Sequence, residues 1–292
     1  MHVGDESAFL KLDRQAQAQG QGDSWLVTAV RWTGWSLAAA TWVSGALFGL
    51  YILLFFGGAA AHGALDRWNE SLDHLHPVNA PAATAGIGFH FLAGGLLLIL
   101  GPIQLIGGIR RAVPAFHRWL GRLYVLSAGI AGAGGLTFIL ANGTVGGPVM
   151  STGFGLYGAL VVTAAMVSYV HARARRLETH RAWAIRLFAL VVGSWLYRME
   201  YAFWFMAIGR AGHTTSFHGL FDHVMTFFFY LPNLAVAELF IRSRSGSGSN
   251  ATKAGACAVL LGATAFVVTA TTYFTANYWG PGMVSGITGA PL

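Results

Sequence analysis

Apolar residues in this chain gather into long unbroken runs, and the polar residues are pushed into short stretches between them. Seven runs stand out, at about 34–60, 82–106, 118–140, 150–171, 182–208, 219–241 and 255–277. A helix of about 20 residues crosses a hydrocarbon core of about 30 Å, so each run predicts one membrane span. The expected fold is an all-α integral membrane protein, a bundle of seven transmembrane helices.

Composition supports this reading. Apolar residues make up 55% of the chain and charged residues only 10%, against roughly 25% charged in soluble domains. So little charge cannot cover a water-facing surface, and the lipid bilayer must act as solvent. The net charge of +7 would suit a nucleic-acid binder, but its placement removes that reading. Lys11, Arg14 and Arg31 precede the first run, and Arg110, Arg111, Arg118 and Arg122 flank the second connection. Arg173, Arg175, Arg176 and Arg181 fill the fourth, and Arg242, Arg244 and Lys253 the sixth. The other connections hold only Arg67 and Arg210 as basic residues. Basic connections face the cytoplasm, so seven spans place the N-terminus inside and the C-terminus outside.

The chain then divides into a polar cytoplasmic tail (1–31), a six-helix membrane core (32–242), a Ser/Gly-rich cytoplasmic linker (243–253) and a peripheral seventh helix with an outer tail (254–292). Met1–Gln21 has no apolar stretch of the kind a cleavable signal carries, and its Gln15–Gln21 run reads as flexible or weakly helical. Cys257 is the sole cysteine, so neither a disulfide framework nor a thiolate metal site is available within the chain. Small residues crowd the third run (Ala128, Gly129, Gly132, Gly134, Gly135) and the fourth (Gly153, Gly155, Gly158). Close helix packing accounts for them; the alternative is room for a flat cofactor against the backbone.

Two helix starts are alike. The third run opens with HRWLGRLY (His117, Arg118, Arg122) and the fifth with HRAWAIRL (His180, Arg181, Arg186), each after an arginine-rich turn. This reads as a duplicated helical hairpin across spans two to five. These segments, with His90, the GPIQ stretch (Gly101, Pro102, Gln104) and the later YLPNLAVAELFIR (Pro232, Asn233, Glu238, Arg242), resemble the bacterial predicted-membrane-protein family known as domain of unknown function 2306. The resemblance implies a multi-pass protein of the bacterial plasma (inner) membrane. It supplies no activity and no catalytic residue, and whether the protein is an enzyme stays open.

The histidines sort by side. His117, His171 and His180 fall on the cytoplasmic side, and His62, His74, His76, His90, His213, His218 and His223 on the outer side. His90 and His223 lie within spans, where ionisable groups are costly and so mark function. Arg198 lies 18 residues beyond His180, which is five helical turns and about 27 Å, on the same helix face. His90, Arg198, Asp222 and His223 are therefore expected to converge in an outer pocket lined by Trp195, Tyr197, Phe203 and Trp204, with Glu200 pointing elsewhere.

Three chemistries suit these residues. In the first, b-type haem carries electrons across the membrane. His117 with His180 would ligate an inner iron and His90 with His223 an outer one, while Arg118, Arg181, Arg186 and Arg198 would hold propionates or an anionic donor. In the second, His90, His223, Asp222 and Glu200 bind zinc for an outer-facing hydrolase, although a spaced HxxxH pattern is missing and His74-x-His76 is a weak substitute. In the third, the chain binds a quinone, lipid or substrate as an accessory or assembly protein of a respiratory complex. Blander roles stand beside these. The His-Arg pairs also suit interfacial anchors for anionic lipid, Arg198 and Glu200 suit structural ion pairs, and Trp32, Trp35, Trp68, Tyr278 and Trp279 suit an interfacial belt. Pro232 with Asn233 is expected to kink the sixth span.

Overall fold

A computed structural model describes residues 4–242 and 250–292. The Ser/Gly stretch 243–249 lies outside the described residues. Ten α-helices follow in order, and no strand occurs among the described residues. They are α1 Gly4–Ala61, α2 Pro81–Leu100, α3 Gly107–Ala112, α4 Pro114–Asn142, α5 Gly147–Arg173, α6 Leu177–Ile208, α7 Leu220–Phe228, α8 Leu231–Arg242, α9 Asn250–Phe274 and α10 Gly280–Thr288. A π-helical turn, Thr275–Trp279, joins the last two. The polar N-terminal stretch from Gly4 is helical and runs without a break into the first apolar run.

Six stretches are long and apolar enough to cross a membrane: Trp25–Ala61, Pro81–Gln104, Pro114–Asn142, Gly147–Arg173, Leu220–Glu238 and Lys253–Thr288. The protein is an integral multi-pass membrane protein. The sequence expects seven spans, and α6 makes the difference. Its 32 residues extend about 48 Å, but Arg186, Arg198 and Glu200 interrupt the apolar surface that the other spans share.

Prolines set several of the boundaries. Pro81 and Pro114 occupy the first turns of α2 and α4, where the missing N–H is no loss and φ is already helical. The sixth run breaks at Phe229–Tyr230 between α7 and α8. Pro232 sits in the first turn of α8, and Asn233 Nδ2 donates to Phe229 O at 2.7 Å, satisfying a carbonyl at the break.

The described chain forms two compact units, Met1–Thr41 with Ser245–Val268, and Trp42–Arg244 with Thr269–Leu292. In the first, Thr33 Oγ1 and Cys257 Sγ lie 4.0 Å apart. The second is packed by glycines. A methyl on Gly134 would collide with Gly86 O, and one on Gly132 would sit 3.1 Å from Gly158 O, so α2, α4 and α5 approach at backbone distance. Trp195 Nε1 donates to Ser44 Oγ (2.8 Å), which also accepts from Thr271 Oγ1 (2.5 Å), tying α1, α6 and α9 together. The second half of the last apolar run, expected to be peripheral, lies inside this unit: Ala270 is fully buried and Trp279 nearly so.

Candidate functional site

The basic residues distinguish the two ends of the helices. The connections α2–α4 and α5–α6 are rich in arginine. The connections at 62–80, 143–146 and 209–219 hold only Arg67 and Arg210. A cavity of about 470 Å³ opens from the arginine-poor end. Its lining runs from Ile87 to Leu98 on α2 and from Ala131 to Asn142 on α4, so it spans about 16 Å along each helix. Aromatic rings from α1, α5, α6 and the π-helical turn make much of the wall, and Gly94, where a methyl would meet nothing within 4 Å, leaves room beside the backbone. The volume falls within the ~300–1,000 Å³ of small-molecule sites. Three non-glycine residues of the described chain have left-handed backbone: His74, Arg175 and Phe217. Two of them, His74 and Phe217, line this cavity, a placement common to strained binding sites.

Two polar groups reach its interior from facing helices. His90 lies nine residues past the start of α2 and Arg198 ten residues before the end of α6. Their depths from the arginine-poor end are therefore similar, about 14 and 15 Å, and each lies within electrostatic reach of the other. His90 Nδ1 is 2.8 Å from Ala131 O. A carbonyl only accepts, so Nδ1 carries the hydrogen and Nε2 of the neutral ring offers a bare lone pair. Arg198 Nη1 donates to Ser194 O at 2.7 Å, and its guanidinium lies 4.6 Å from the centre of the Phe48 ring. No carboxylate of the described residues comes within 4 Å of it.

The rim is fixed by Asp222, which is fully buried. Its carboxylate accepts from Tyr201 Oη (2.7 Å), Thr214 N (3.0 Å) and Gly219 N (2.9 Å). It also pairs with His213 Nδ1 at 2.7 Å. These bonds hold the connection between α6 and α7 so that His213 and Phe217 face the cavity. Across the mouth, Asn142 Nδ2 donates to His74 O at 3.1 Å.

Of the residues expected in an outer pocket, the structure brings His90, Arg198 and Tyr197 to one cavity. Asp222 serves it indirectly, by positioning His213. His223, Trp195, Phe203 and Trp204 are not among its lining residues. Trp195 is bonded to Ser44, Phe203 is exposed, and Trp204 donates to Ala211 O and stacks on Phe221. Glu200 Oε2 is buried without a hydrogen-bond partner among the described residues.

At the arginine-rich end, His117 and His180 are each the fourth residue of their helix, α4 and α6. His180 Nδ1 lies 2.9 Å from Ser168 O, and Gln104 Nε2 donates to His117 O. The two rings are within electrostatic range of each other but line no part of the cavity. Arg118, Arg122 and Arg181 are exposed. Arg186 is committed elsewhere: its Nε and Nη2 both bond Glu238 Oε2, at 3.1 and 2.7 Å, and it stacks over Trp183.

Among the described residues no three His, Cys, Asp or Glu side chains cluster to hold a metal ion. The zinc reading therefore lacks the three protein ligands a catalytic site needs. Sequence reasoning missed His213 and the aromatic residues of the C-terminal segment. One signal was available for the first: Asp222 stands three residues after Gly219 at the start of α7, where its carboxylate accepts the Gly219 backbone N–H.

The family described as predicted membrane protein, domain of unknown function 2306 (DUF2306), matches residues 87–241. The match covers more than half of the chain, including most of α2, all of α4, α5 and α6 and most of the cavity wall, and the chain belongs to this family. No curated protein and no solved structure matches it.

Proposed function

We propose that this family member binds an amphiphilic ligand in the cavity, one with a large apolar body and an acidic group held by Arg198. The observation that carries this is the guanidinium itself, which faces an aromatic-walled space and, among the described residues, bonds a backbone carbonyl and lies over a ring without a carboxylate. An arginine at the centre of a span costs about 2.5–3.5 kcal/mol on insertion scales. An anionic ligand group would offset much of that cost. Lipid-like molecules with an acidic headgroup fall within the class, and an accessory role beside a respiratory complex is compatible with it.

The proposal includes the topology. With α6 counted as a span, the chain crosses seven times, the arginine-rich end is cytoplasmic and the cavity opens outward in a bacterial plasma membrane. The length of α6 supports that count, and the matching positions of His117 and His180 support a duplicated hairpin. In a Cys257→Ser background, a cysteine at Asp73 should react with an impermeant thiol reagent on intact cells, and one at Arg175 only after lysis. The reverse pattern overturns the orientation.

Binding is tested by native mass spectrometry and organic extraction of the purified protein. A stoichiometric small molecule bearing an acid is expected, and Arg198→Gln should lose it at least tenfold while keeping the fold. Arg198→Lys, which keeps the charge but not the planar fork, should retain part of the binding. A ligand-free protein after gentle extraction sinks the reading.

A further inference from the structure

The polar groups at the level of Arg198 narrow the acid further, on the premise that the cavity is a ligand site. Arg198 uses one N–H of its guanidinium on Ser194 O. It keeps the others in a planar fork that matches the oxygens of a carboxylate or phosphate. His90 asks for the opposite. Its Nδ1–H is held by Ala131 O, and among the described residues Nε2 has no hydrogen-bond partner. That nitrogen accepts a hydrogen bond and cannot give one.

A third group stands at the same level. Tyr51 lies ten residues before the end of α1, about 15 Å along the helix, as Arg198 does on α6. It lines the cavity and lies within electrostatic reach of Arg198, with Ser71 beside its hydroxyl. The Phe48 ring links the two, since it lies under the Arg198 guanidinium and stacks on Tyr51 at 6.2 Å between centroids. Tyr51 therefore adds an O–H donor beside the cation. Deeper along the helices, Leu97, Leu98, Val161 and Val191 line the space and suit a hydrocarbon chain.

Acidic headgroups differ in what they offer this set. A carboxylate, a sulfonate or a phosphodiester neutralises Arg198 and brings no hydrogen to His90. A protonated carboxyl group brings the hydrogen and loses the charge. A phosphate monoester that keeps one proton does both from a single centre: its anionic oxygens accept from Arg198 and Tyr51, and its P–OH donates to His90 Nε2. The second pKa of such a group is about 6, so a neighbouring base and cation readily hold it with one proton. Whether that proton rests on oxygen or on imidazole, the phosphate dianion, Arg198 and the proton sum to zero charge. A neutral sum is what a low-dielectric site in a membrane favours. We infer that the cavity takes an amphiphile with a phosphate monoester headgroup, selected by His90 through the P–OH hydrogen while Arg198 holds the anionic oxygens.

The test uses the full-length protein, stripped of bound lipid, in nanodiscs of zwitterionic lipid. Native mass spectrometry compares hexadecyl phosphate with its methyl ester, which keeps one negative charge and lacks the P–OH. Hexadecanoate and 2-hydroxyhexadecanoate are the carboxylate probes. The monoester should bind about tenfold more tightly than each of the others, the worth of about one hydrogen bond to a charged group. His90→Asn keeps a donor for Ala131 O and removes Nε2, so the difference between the monoester and its methyl ester should vanish. Polyprenyl phosphate and diacylglycerol phosphate, offered separately, distinguish two sources of the headgroup, and at least one should displace hexadecyl phosphate. Equal binding of the monoester and its methyl ester to the wild type overturns the phosphate assignment, whether or not the variant folds. A carboxylate probe that binds as tightly, or displacement by neither lipid phosphate, overturns it too, and each of these results leaves the cavity reading standing. A difference that persists in His90→Asn refutes selection by His90. If no anionic amphiphile binds, the phosphate assignment and the cavity reading both fail.

Discussion

The two ends of this protein use the same residue types to different effect. Each end pairs histidine with arginine, and each has a histidine whose Nδ1 is fixed by a backbone carbonyl: His90 by Ala131 and His180 by Ser168. At the arginine-rich end the arginines beside the histidines, Arg118 and Arg181, are exposed, and Arg186 is neutralised by Glu238. Those charges are already solvated or paired and have no need of a ligand. At the other end Arg198 and His90 face the cavity, and the buried carboxylate of Asp222 at its rim is spent on His213, Tyr201 and two backbone amides. Residue type therefore identifies candidates at both ends, and the environment separates an anchoring end from a binding end.

Substitutions at both ends sharpen that contrast, beginning with the largest expected effect. Asp222→Ala strands His213 and removes three further hydrogen bonds at a fully buried position, so stability should fall by about 3–5 kcal/mol. Unfolding in mild detergent measures it, and a loss below about 1 kcal/mol would mean that the carboxylate does not hold the rim.

Gly134→Ala comes next. Its added methyl would collide with Gly86 O, and overpacking of this kind costs about 1–3 kcal/mol. Gly94→Ala, whose methyl meets nothing within 4 Å, is the matched control and should be close to neutral. Equal losses in the two variants would contradict the packing assigned to α2 and α4.

At the arginine-rich end the effects should be smaller. Arg186→Met breaks a pair whose side chains are 24% and 33% exposed, and should cost about 1 kcal/mol or less. Arg118→Gln with Arg181→Gln should change stability by no more than about 0.5 kcal/mol, read from the same melting curves, while weakening association with anionic vesicles. A large loss of bound ligand in either variant would dissolve the distinction between the ends.

The spans were the most legible part of the sequence, because a stretch of about 20 apolar residues has one solution in a bilayer. Six of the seven runs meet that criterion, and α6 departs from it through the same Arg198 and Glu200 that marked it as functional. His90, Arg198 and Tyr197 were also legible, since ionisable and aromatic residues stand out within apolar runs. The rest of the site was not. His213 and Phe217 reach the cavity through a connection held by Asp222, and such folding back leaves no periodicity. His223 was expected in the pocket because it falls within a run, whereas His213, outside the run, is the one that faces inward. The C-terminal segment gave no polar signal, yet Phe274, Tyr278 and Trp279 complete the wall.

The central claim is that the cavity at the arginine-poor end is where a ligand binds. Gly94 lines it with open space ahead of its Cα hydrogen, so Gly94→Phe should fill the space without disturbing the helix contacts. Ligand occupancy of this variant, measured by native mass spectrometry beside the wild type and Arg118→Gln/Arg181→Gln, is the most direct test. The account predicts at least a tenfold loss of bound ligand in Gly94→Phe at unchanged melting temperature, and none in the double variant. Full occupancy in Gly94→Phe would contradict it.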